Sequence, residues 1–133
     1  VNGITAGLAG ATACGIPLTY RGISRGVTLV TAHTQDDSPL AWEALARSGT
    51  TLVVYMGVAR LAEIQAGLLA GGMAEDTPLA MIENATLGNQ RECRSNLGEL
   101  LRDAGRFALK SPAILVIGEV TRDIVSQPIS LSA

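Results

Sequence analysis

The sequence predicts an α/β domain, in which helices pack against the faces of a small sheet. Segments rich in β-branched residues alternate along the chain with segments of helical character, which is the pattern of a layered α/β structure. Of the 133 residues, 47% are hydrophobic and only 3% are aromatic, so the core is expected to be aliphatic. The length suits one domain, and no linker or internal repeat divides it.

The first helix is predicted within residues 4–14, where alanine and glycine dominate and would let the helix lie close to its neighbours. Gly15 and the helix-breaking Pro17 end it. The first strand is predicted over residues 27–31, because valine, threonine and leucine follow one another there.

A second helix is predicted over residues 40–47. Ser38 offers an N-cap, Pro39 suits the first helical position, and Gly49 suits the C-terminal end. The next strand, residues 51–56, is apolar on both faces, which is typical of a strand in the interior of a sheet.

A third helix is predicted over residues 59–70, followed by Gly71-Gly72, and a strand is predicted over residues 79–83 after Pro78. The apolar residues of this helix recur at helical spacing and form one stripe. The stripe consists of Leu61, Ile64, Leu68 and Leu69.

The last third of the chain predicts a short strand over residues 90–94, a helix over 97–109 capped by Asn96, and a strand over 113–120. The residues of this helix that are expected to face the core are Leu97, Leu100, Leu101 and Phe107. Residues 124–133 contain four serine or glutamine residues and are broken by Pro128, so we expect a loosely ordered tail.

Charge and composition argue against several classes of protein. The formal net charge of −2 argues against a nucleic-acid partner, and no apolar run approaches the roughly 18 residues of a membrane span. Cys14 and Cys93 form no CxxC motif or Cys/His pair. We therefore expect buried thiols, no metal site and a reducing, cytoplasmic setting.

Several established catalytic motifs are missing from the sequence. It contains no HExxH or GxGxxG motif and no Walker loop. The one histidine, His33, closes the first predicted strand, and a structural role is favoured over a functional one. Asp36 and Asp37 could bind a cation, but an exposed acidic loop is the favoured interpretation. We therefore assign no catalytic residue.

Glycine and small polar residues gather where the predicted strands end. Backbone N–H groups and a threonine hydroxyl at such a junction can hold a polar ligand, and ligands bind at strand ends in open α/β sheets. Each junction alone is more often a simple turn, but together they predict a binding edge. The junctions are Gly3-Ile4-Thr5-Ala6, Met56-Gly57, Glu83-Asn84-Ala85-Thr86 and Ser111-Pro112-Ala113.

Six blocks of sequence are more specific evidence than these strand-end junctions. In chain order they are GITA, GIPLTYR, VTAH, GTTLVVYMG, ENATLGNQR and SPAILVIGEV. In order and spacing they resemble the second domain of the uroporphyrinogen-III C-methyltransferases, which belong to the tetrapyrrole methylase superfamily. The resemblance reaches to about Val120. Because the chain starts at Val1, without methionine and inside a predicted strand end, we expect a fragment or a truncated product. The resemblance implies that residues 1–123 are a C-terminal domain whose N-terminal domain is absent from this chain.

The resemblance implies a mixed five-stranded sheet flanked by helices, with S-adenosylmethionine bound in the cleft between two domains. The family methylates carbon atoms of uroporphyrinogen III to give precorrin-2, on the way to sirohaem and cobalamin, and releases S-adenosylhomocysteine. Its members are usually homodimers. Carried over by matching motif, the residues that would contact the cofactor are Thr5, Ala6, Met56, Ala85 and Ala113.

The sequence departs from the family pattern at several positions. Asn2 stands where the family usually has proline, and Ala85 stands where it usually has glycine, which adds a methyl group at a point of close approach. Tyr20 and Gly22 stand where histidine and aspartate are common. The glycine-rich GxGxGD loop and the catalytic acid and base of the family lie in its first domain, so the resemblance implies that this chain alone is inactive.

The substrate of the family carries many carboxylates, for which arginines are natural partners. Arg21 and Arg25, in the loop after the first helix, are the candidates, and solvated surface arginines are an equally good interpretation. Two other functions stay open. One is a different methylase of the superfamily, acting on a later precorrin or a diphthamide precursor, and the other is a structural module that supplies only a dimer surface.

Overall fold

The computed structural model describes residues 5–32 and 40–122. The expectations for residues 1–4, for His33, for Asp36 and Asp37, and for the tail lie outside these described residues. Within them, no helix is long and apolar enough to cross a membrane.

The described residues form four α-helices, five strands and two short 3-10 turns, and each predicted element has a counterpart whose ends differ by no more than three residues. The helices are α1 Ala6–Ala13, α2 Trp42–Ala46, α3 Leu61–Ala70 and α4 Leu100–Phe107, and the 3-10 turns are Val58–Arg60 and Glu119–Thr121. The strands are β1 Val27–Thr31, β2 Thr51–Tyr55, β3 Pro78–Glu83, β4 Arg91–Asn96 and β5 Ala113–Ile117.

The strands form one mixed sheet in the order β1-β2-β5-β3-β4. β1 is parallel to β2, whereas β5 is antiparallel to both β2 and β3, and β4 is antiparallel to β3. Val116 in the middle of β5 lies opposite Val53 on one side and Ala80 on the other. The expectation of a mixed five-stranded sheet is therefore confirmed, and β1, β2 and β3 all run in one direction.

Helices cover both faces of the sheet, so its three central strands are buried. One hydrophobic cluster joins the sheet to α2, α3 and α4, and its large members include Leu52, Ile64, Leu68, Met81, Leu100 and Leu115. The other cluster lies on the α1 face and contains Ala11, Ile16, Val53, Ala80, Ile82, Ile114, Val116 and Val120. Alternate residues of each strand contribute to opposite clusters, as the pleat requires. This burial on both faces explains why β2, β3 and β5 are nearly uniformly apolar.

The small residues of α1 let it lie close to the sheet. Gly7, Gly10 and Ala11 are its buried residues. A Cβ atom added at Gly7 would lie 2.8 Å from Cγ1 of Val53, and one added at Gly10 would lie 2.9 Å from Cδ1 of Ile114. Real side chains cannot approach so closely, so the glycines fix how near α1 sits to β2 and β5.

Helix α4 differs from the expectation in where it begins and which face is buried. The side chain of Asn96 accepts the backbone N–H of Glu99 at 2.9 Å, as a cap does, but residues 97–99 form a turn and the helix starts only at Leu100. Leu97 and Leu100 are buried as predicted, whereas Leu101 is 44% exposed, so its predicted inward position is wrong. The next buried position is Ala104, one turn after Leu100.

We predict that Leu100→Ala lowers the free energy of unfolding by about 2–5 kcal/mol, because it leaves a cavity in the core. The neighbouring substitution Leu101→Ala is the matched control and should change it by no more than about 0.5 kcal/mol, since that side chain is half exposed. Urea denaturation followed by circular dichroism measures both. Equal losses for the two variants would contradict the burial described for α4.

Candidate functional site

A cavity of about 370 Å³ opens at the edge of the sheet where β2 and β3 end and β5 begins. It lies on the α1 face, because Ile82 and Ile114 belong to both the cavity lining and the α1 cluster. This is the edge at which open α/β sheets bind ligands. The lining residues are Ala6, Tyr55, Met56, Ile82, Ala85, Ser111, Pro112, Ala113 and Ile114.

Four of the five residues that the sequence suggested for a cofactor line this one cavity. They are Ala6 at the start of α1, Met56 after β2, Ala85 after β3 and Ala113 at the start of β5. The fifth, Thr5, precedes them at the N-cap of α1, and its hydroxyl is hydrogen-bonded to the hydroxyl of Tyr55, a lining residue. The fold thus brings together residues from four separate segments of the chain.

Tyr55 is a lining residue that the sequence did not single out, and it holds the start of α1. Its hydroxyl accepts the backbone N–H of Gly7 at 2.8 Å and also pairs with the hydroxyl of Thr5. The Thr5 hydroxyl, which was expected to be available to a ligand, therefore already has a protein partner, and so does the N–H group of Gly7. The signal in the sequence was a polar-tipped aromatic residue at the end of an otherwise apolar strand.

Three of the four non-glycine residues with positive φ in the described part of the chain lie in or beside the cavity lining. Met56, Asn84 and Thr86 have φ angles of 55°, 52° and 68°. Such angles are uncommon for residues other than glycine and cluster at functional sites. At Met56 the unusual turn carries a side chain that is 64% exposed although it contributes to the cavity lining.

Two loops border the cavity on its outer side, the turn of residues 84–90 after β3 and the segment 111–113 before β5. Hydrogen bonds hold these loops in place. The backbone N–H of Asn84 donates to the carbonyl oxygen of Pro112 at 3.0 Å. The N–H of Thr86 donates to Oε1 of Gln90 at 2.6 Å, which closes the turn between β3 and β4. The position of Ala85 relative to the segment 111–113 is therefore set by backbone contacts.

The cavity can bind an apolar group but carries no evident acid or base. Among the described residues that line it, none is charged, and the side-chain polar atoms are the hydroxyls of Tyr55 and Ser111. An apolar cavity with a few polar atoms and nearby backbone groups suits a flat aromatic ring with hydrogen-bonding edges. The lining of this cavity can therefore bind and orient a ligand.

The two arginines suggested for substrate are not part of this cavity. Arg25 lines a different depression, with Ser48 and Thr50, where β1 and β2 begin. That is the opposite edge of the sheet, roughly 17 Å away for a five-residue strand at about 3.3 Å per residue. Arg21 is exposed in the turn that joins Tyr20 to Ser24.

The two cysteines are free and half-buried, so the expectation of buried thiols is met only in part. Each packs at the margin of a hydrophobic cluster, Cys14 on the α1 face and Cys93 on the other. Burial raises the pKa of the Cys14 thiol to about 11, and the carboxylate of Glu92 adds to the effect. At neutral pH Cys14 is therefore a protonated and weakly reactive thiol.

We predict that Tyr55→Phe destabilises the fold by about 1–3 kcal/mol, because the part-buried N–H of Gly7 loses its acceptor. Tyr20→Phe is the matched control, since its ring is 48% exposed and its loss of a hydroxyl should cost almost nothing. Urea denaturation of both variants tests this. A Tyr55→Phe variant as stable as the control would show that the hydroxyl does not anchor α1.

Comparison with known proteins supplies the context for this cavity. The family model of the Tetrapyrrole (Corrin/Porphyrin) Methylases matches residues 1–101. A uroporphyrinogen-III C-methyltransferase of Pseudomonas fluorescens is 70% identical over 133 residues, which are 100% of this chain and 54% of that protein. A siroheme synthase of Xylella fastidiosa (strain M12) is 46% identical over 122 residues, 91% of this chain and 26% of that protein. The chain thus spans about half the length of the first relative and a quarter of the second.

A solved structure shares both the fold and part of the sequence. The uroporphyrin-III C-methyl transferase from Thermus thermophilus, complexed with S-adenyl homocysteine, superposes with a TM-score of 0.78 at 33% sequence identity. The match covers 92% of this chain and 52% of that chain. Here too the similarity spans about half of the relative.

Proposed function

Because the chain belongs to the tetrapyrrole (corrin/porphyrin) methylase family, we propose that its cavity is one wall of an S-adenosylmethionine site. The membership confirms the superfamily resemblance drawn from the six sequence blocks. In this proposal Ala6, Met56, Ala85 and Ala113 contact the cofactor, and Thr5 borders it. The observation that carries the proposal is that residues suggested independently by motif line a single cavity at the ligand-binding edge of the sheet.

The physical properties of the cavity suit the adenosine part of that cofactor. Its volume of about 370 Å³ falls within the roughly 300–1,000 Å³ usual for small-molecule sites. The methyl groups of Ala6, Ala85 and Ala113 and the thioether of Met56 offer apolar contacts to an adenine ring, and neighbouring backbone groups can hydrogen-bond its edges. The absence of charge from the lining residues means that the sulfonium and amino-acid groups would have to find partners elsewhere.

For the whole protein we propose S-adenosylmethionine-dependent C-methylation of uroporphyrinogen III to precorrin-2, with S-adenosylhomocysteine as the other product. The support is the 70% identity to the Pseudomonas fluorescens enzyme, which favours this activity over methylation of a later precorrin or a diphthamide precursor. The similarity to a siroheme synthase favours a role in sirohaem formation. In this proposal the chain is residues 1–123 of a C-terminal domain plus a tail, and the catalytic acid and base lie in an N-terminal domain.

We also propose a homodimer in the cytoplasm. The homodimer rests on the family resemblance, whose members are usually homodimers, and the two free thiols support a reducing compartment. The assignment of Arg21 and Arg25 to the substrate carboxylates stays a prediction. Its support is their charge alone, since Arg25 lies at the other edge of the sheet from the cavity.

We predict that this chain binds S-adenosylhomocysteine weakly and that Ala113→Leu weakens the binding by roughly tenfold or more, because the larger side chain fills the cavity. Ala66→Leu is the matched control, since Ala66 is exposed on α3, a helix of the opposite face. Isothermal titration calorimetry gives both affinities. Equal affinities for the two variants would refute the assignment of the ligand to this cavity. No binding by the unsubstituted chain would refute it too and would favour the structural-module alternative.

We further predict that the isolated chain transfers no methyl group to uroporphyrinogen III. In-line transfer requires the substrate carbon and the donor methyl to be held together, and no carboxylate, histidine or lysine lines the described cavity. Incubation with radiolabelled S-adenosylmethionine and uroporphyrinogen III, followed by counting of the tetrapyrrole fraction, measures the activity. Sustained turnover by the chain alone would contradict this.

A further inference from the structure

Glu83, the last residue of β3, is a charged residue in a buried position, with 6% of its surface exposed. A buried carboxylate is tolerated only where hydrogen bonds and an opposite charge replace its hydration. Here Nε and Nη2 of Arg91 each donate to one carboxylate oxygen at 3.0 Å, and the backbone N–H of Lys110 donates at 2.9 Å. The carboxylate thus accepts three hydrogen bonds from two different parts of the chain.

Arg91 connects the carboxylate of Glu83 to the C-terminal end of α4. It lies directly opposite Glu83 across the β3-β4 pair. Its Nη2 also donates to the carbonyl oxygen of Phe107 at 3.1 Å, and its guanidinium lies 4.1 Å from the centre of the Phe107 ring. The planar guanidinium therefore fixes both the angle and the distance between β3 and the C-terminal end of α4.

The chain segments next to this ion pair are the two loops of the cavity wall. Asn84 and Ala85 follow Glu83 directly, and the segment 111–113 follows Lys110 directly. The hydrogen bond between the Glu83 carboxylate and the N–H of Lys110 therefore links the residues that directly precede both loops. The Glu83 side chain lies on the face of the sheet opposite the cavity. Strand residues alternate between faces, and the preceding residue, Ile82, lines the cavity.

We propose that Glu83, held by Arg91, is a positioning residue for the cofactor cavity. It sets the spacing between the loop that carries Ala85 and the loop that carries Ala113 without contacting the ligand itself. This inference rests on the proposed function, since the ligand in question is S-adenosylmethionine or its product.

The ionisation of Glu83 is consistent with this role. The hydrogen bonds from Arg91, and then the one from Lys110, hold the pKa of the Glu83 carboxyl below its ordinary value of 4.5. A carboxyl whose pKa is lower in the folded than in the unfolded state contributes stability above the unfolded pKa. That contribution is lost as the pH falls through the lowered value. At neutral pH the ion pair is therefore fully formed.

Asp103 provides a matched comparison within the same part of the fold. It is a half-buried carboxylate on α4 that accepts the hydroxyl of Ser95 on β4 at 2.6 Å. The hydrogen bond from Ser95 likewise lowers its pKa, with a further contribution from Arg102. Asp103 therefore also joins α4 to β4 through a charged hydrogen bond, but neither partner adjoins a cavity loop.

The test compares Glu83→Gln, Arg91→Lys and Asp103→Asn in this chain. Amide hydrogen exchange measured by NMR reports on the N–H of Asn84, which is bonded to Pro112, and calorimetry reports the affinity for S-adenosylhomocysteine. We expect Glu83→Gln to accelerate exchange at Asn84 and to weaken binding by roughly tenfold or more. Arg91→Lys should produce a smaller effect of the same kind, because lysine keeps the charge but not the two-pronged contact. Asp103→Asn should leave both quantities near their original values.

The outcomes separate this inference from the proposed function. Unchanged hydrogen exchange at Asn84 in Glu83→Gln refutes the positioning role, whatever the affinity for S-adenosylhomocysteine. Equal losses of affinity in Glu83→Gln and Asp103→Asn also refute it, because they would reflect general loss of stability. Faster exchange at Asn84 in a chain that never bound S-adenosylhomocysteine would support the loop anchor and refute the cofactor assignment. If Glu83→Gln fails to fold, the milder Arg91→Lys decides between these results.

Discussion

The insertion of β5 between β2 and β3 is the constraint on which the rest of this structure depends. β5 is the last strand within the described residues, yet it lies at the centre of the sheet and pairs antiparallel with both neighbours. This arrangement brings the start of β5 to the same edge as the ends of β2 and β3. Because the cavity is lined by residues at these three ends, it exists only once the final strand is in place. Formation of the binding edge is therefore coupled to completion of the core.

Two further contacts shape the cavity that this pairing creates. On one side, Gly7 and Gly10 let α1 approach the sheet, and the hydroxyl of Tyr55 fixes the first turn of that helix beside β2. On the other side, Glu83 and Arg91 hold the two outer loops from behind the sheet. The polar groups near the cavity thus maintain its shape, which leaves apolar side chains and backbone to meet a ligand.

Local features of the sequence were sufficient to predict the elements, whereas long-range contacts were not predictable from them. The apolar runs of β2 and β3 and the stripe around Ile64 identified strands and a helix, and the sequence blocks identified four of the residues that line the cavity. The start of α4 was misplaced because the turn capped by Asn96 delays it, which turns Leu101 outward. The anchoring by Tyr55 and the ion pair of Glu83 depend on partners distant in the chain or on a register that only the folded sheet defines. No local pattern marks the ion pair, and the only local sign of the Tyr55 contact is a polar-tipped aromatic residue at the end of an apolar strand.

The central claim is that this domain holds part of S-adenosylmethionine in the cavity at the β2-β5-β3 edge. A methyl-resolved NMR titration of the chain with S-adenosylhomocysteine tests it most directly, because Ala6, Met56, Ala85 and Ala113 all carry methyl groups. The account predicts saturable shifts at these four residues and at Ile82 and Ile114, with none at Ala66 on the opposite face. Shifts confined to other parts of the domain, such as the depression beside Arg25, or no shifts at saturating concentrations, would contradict it.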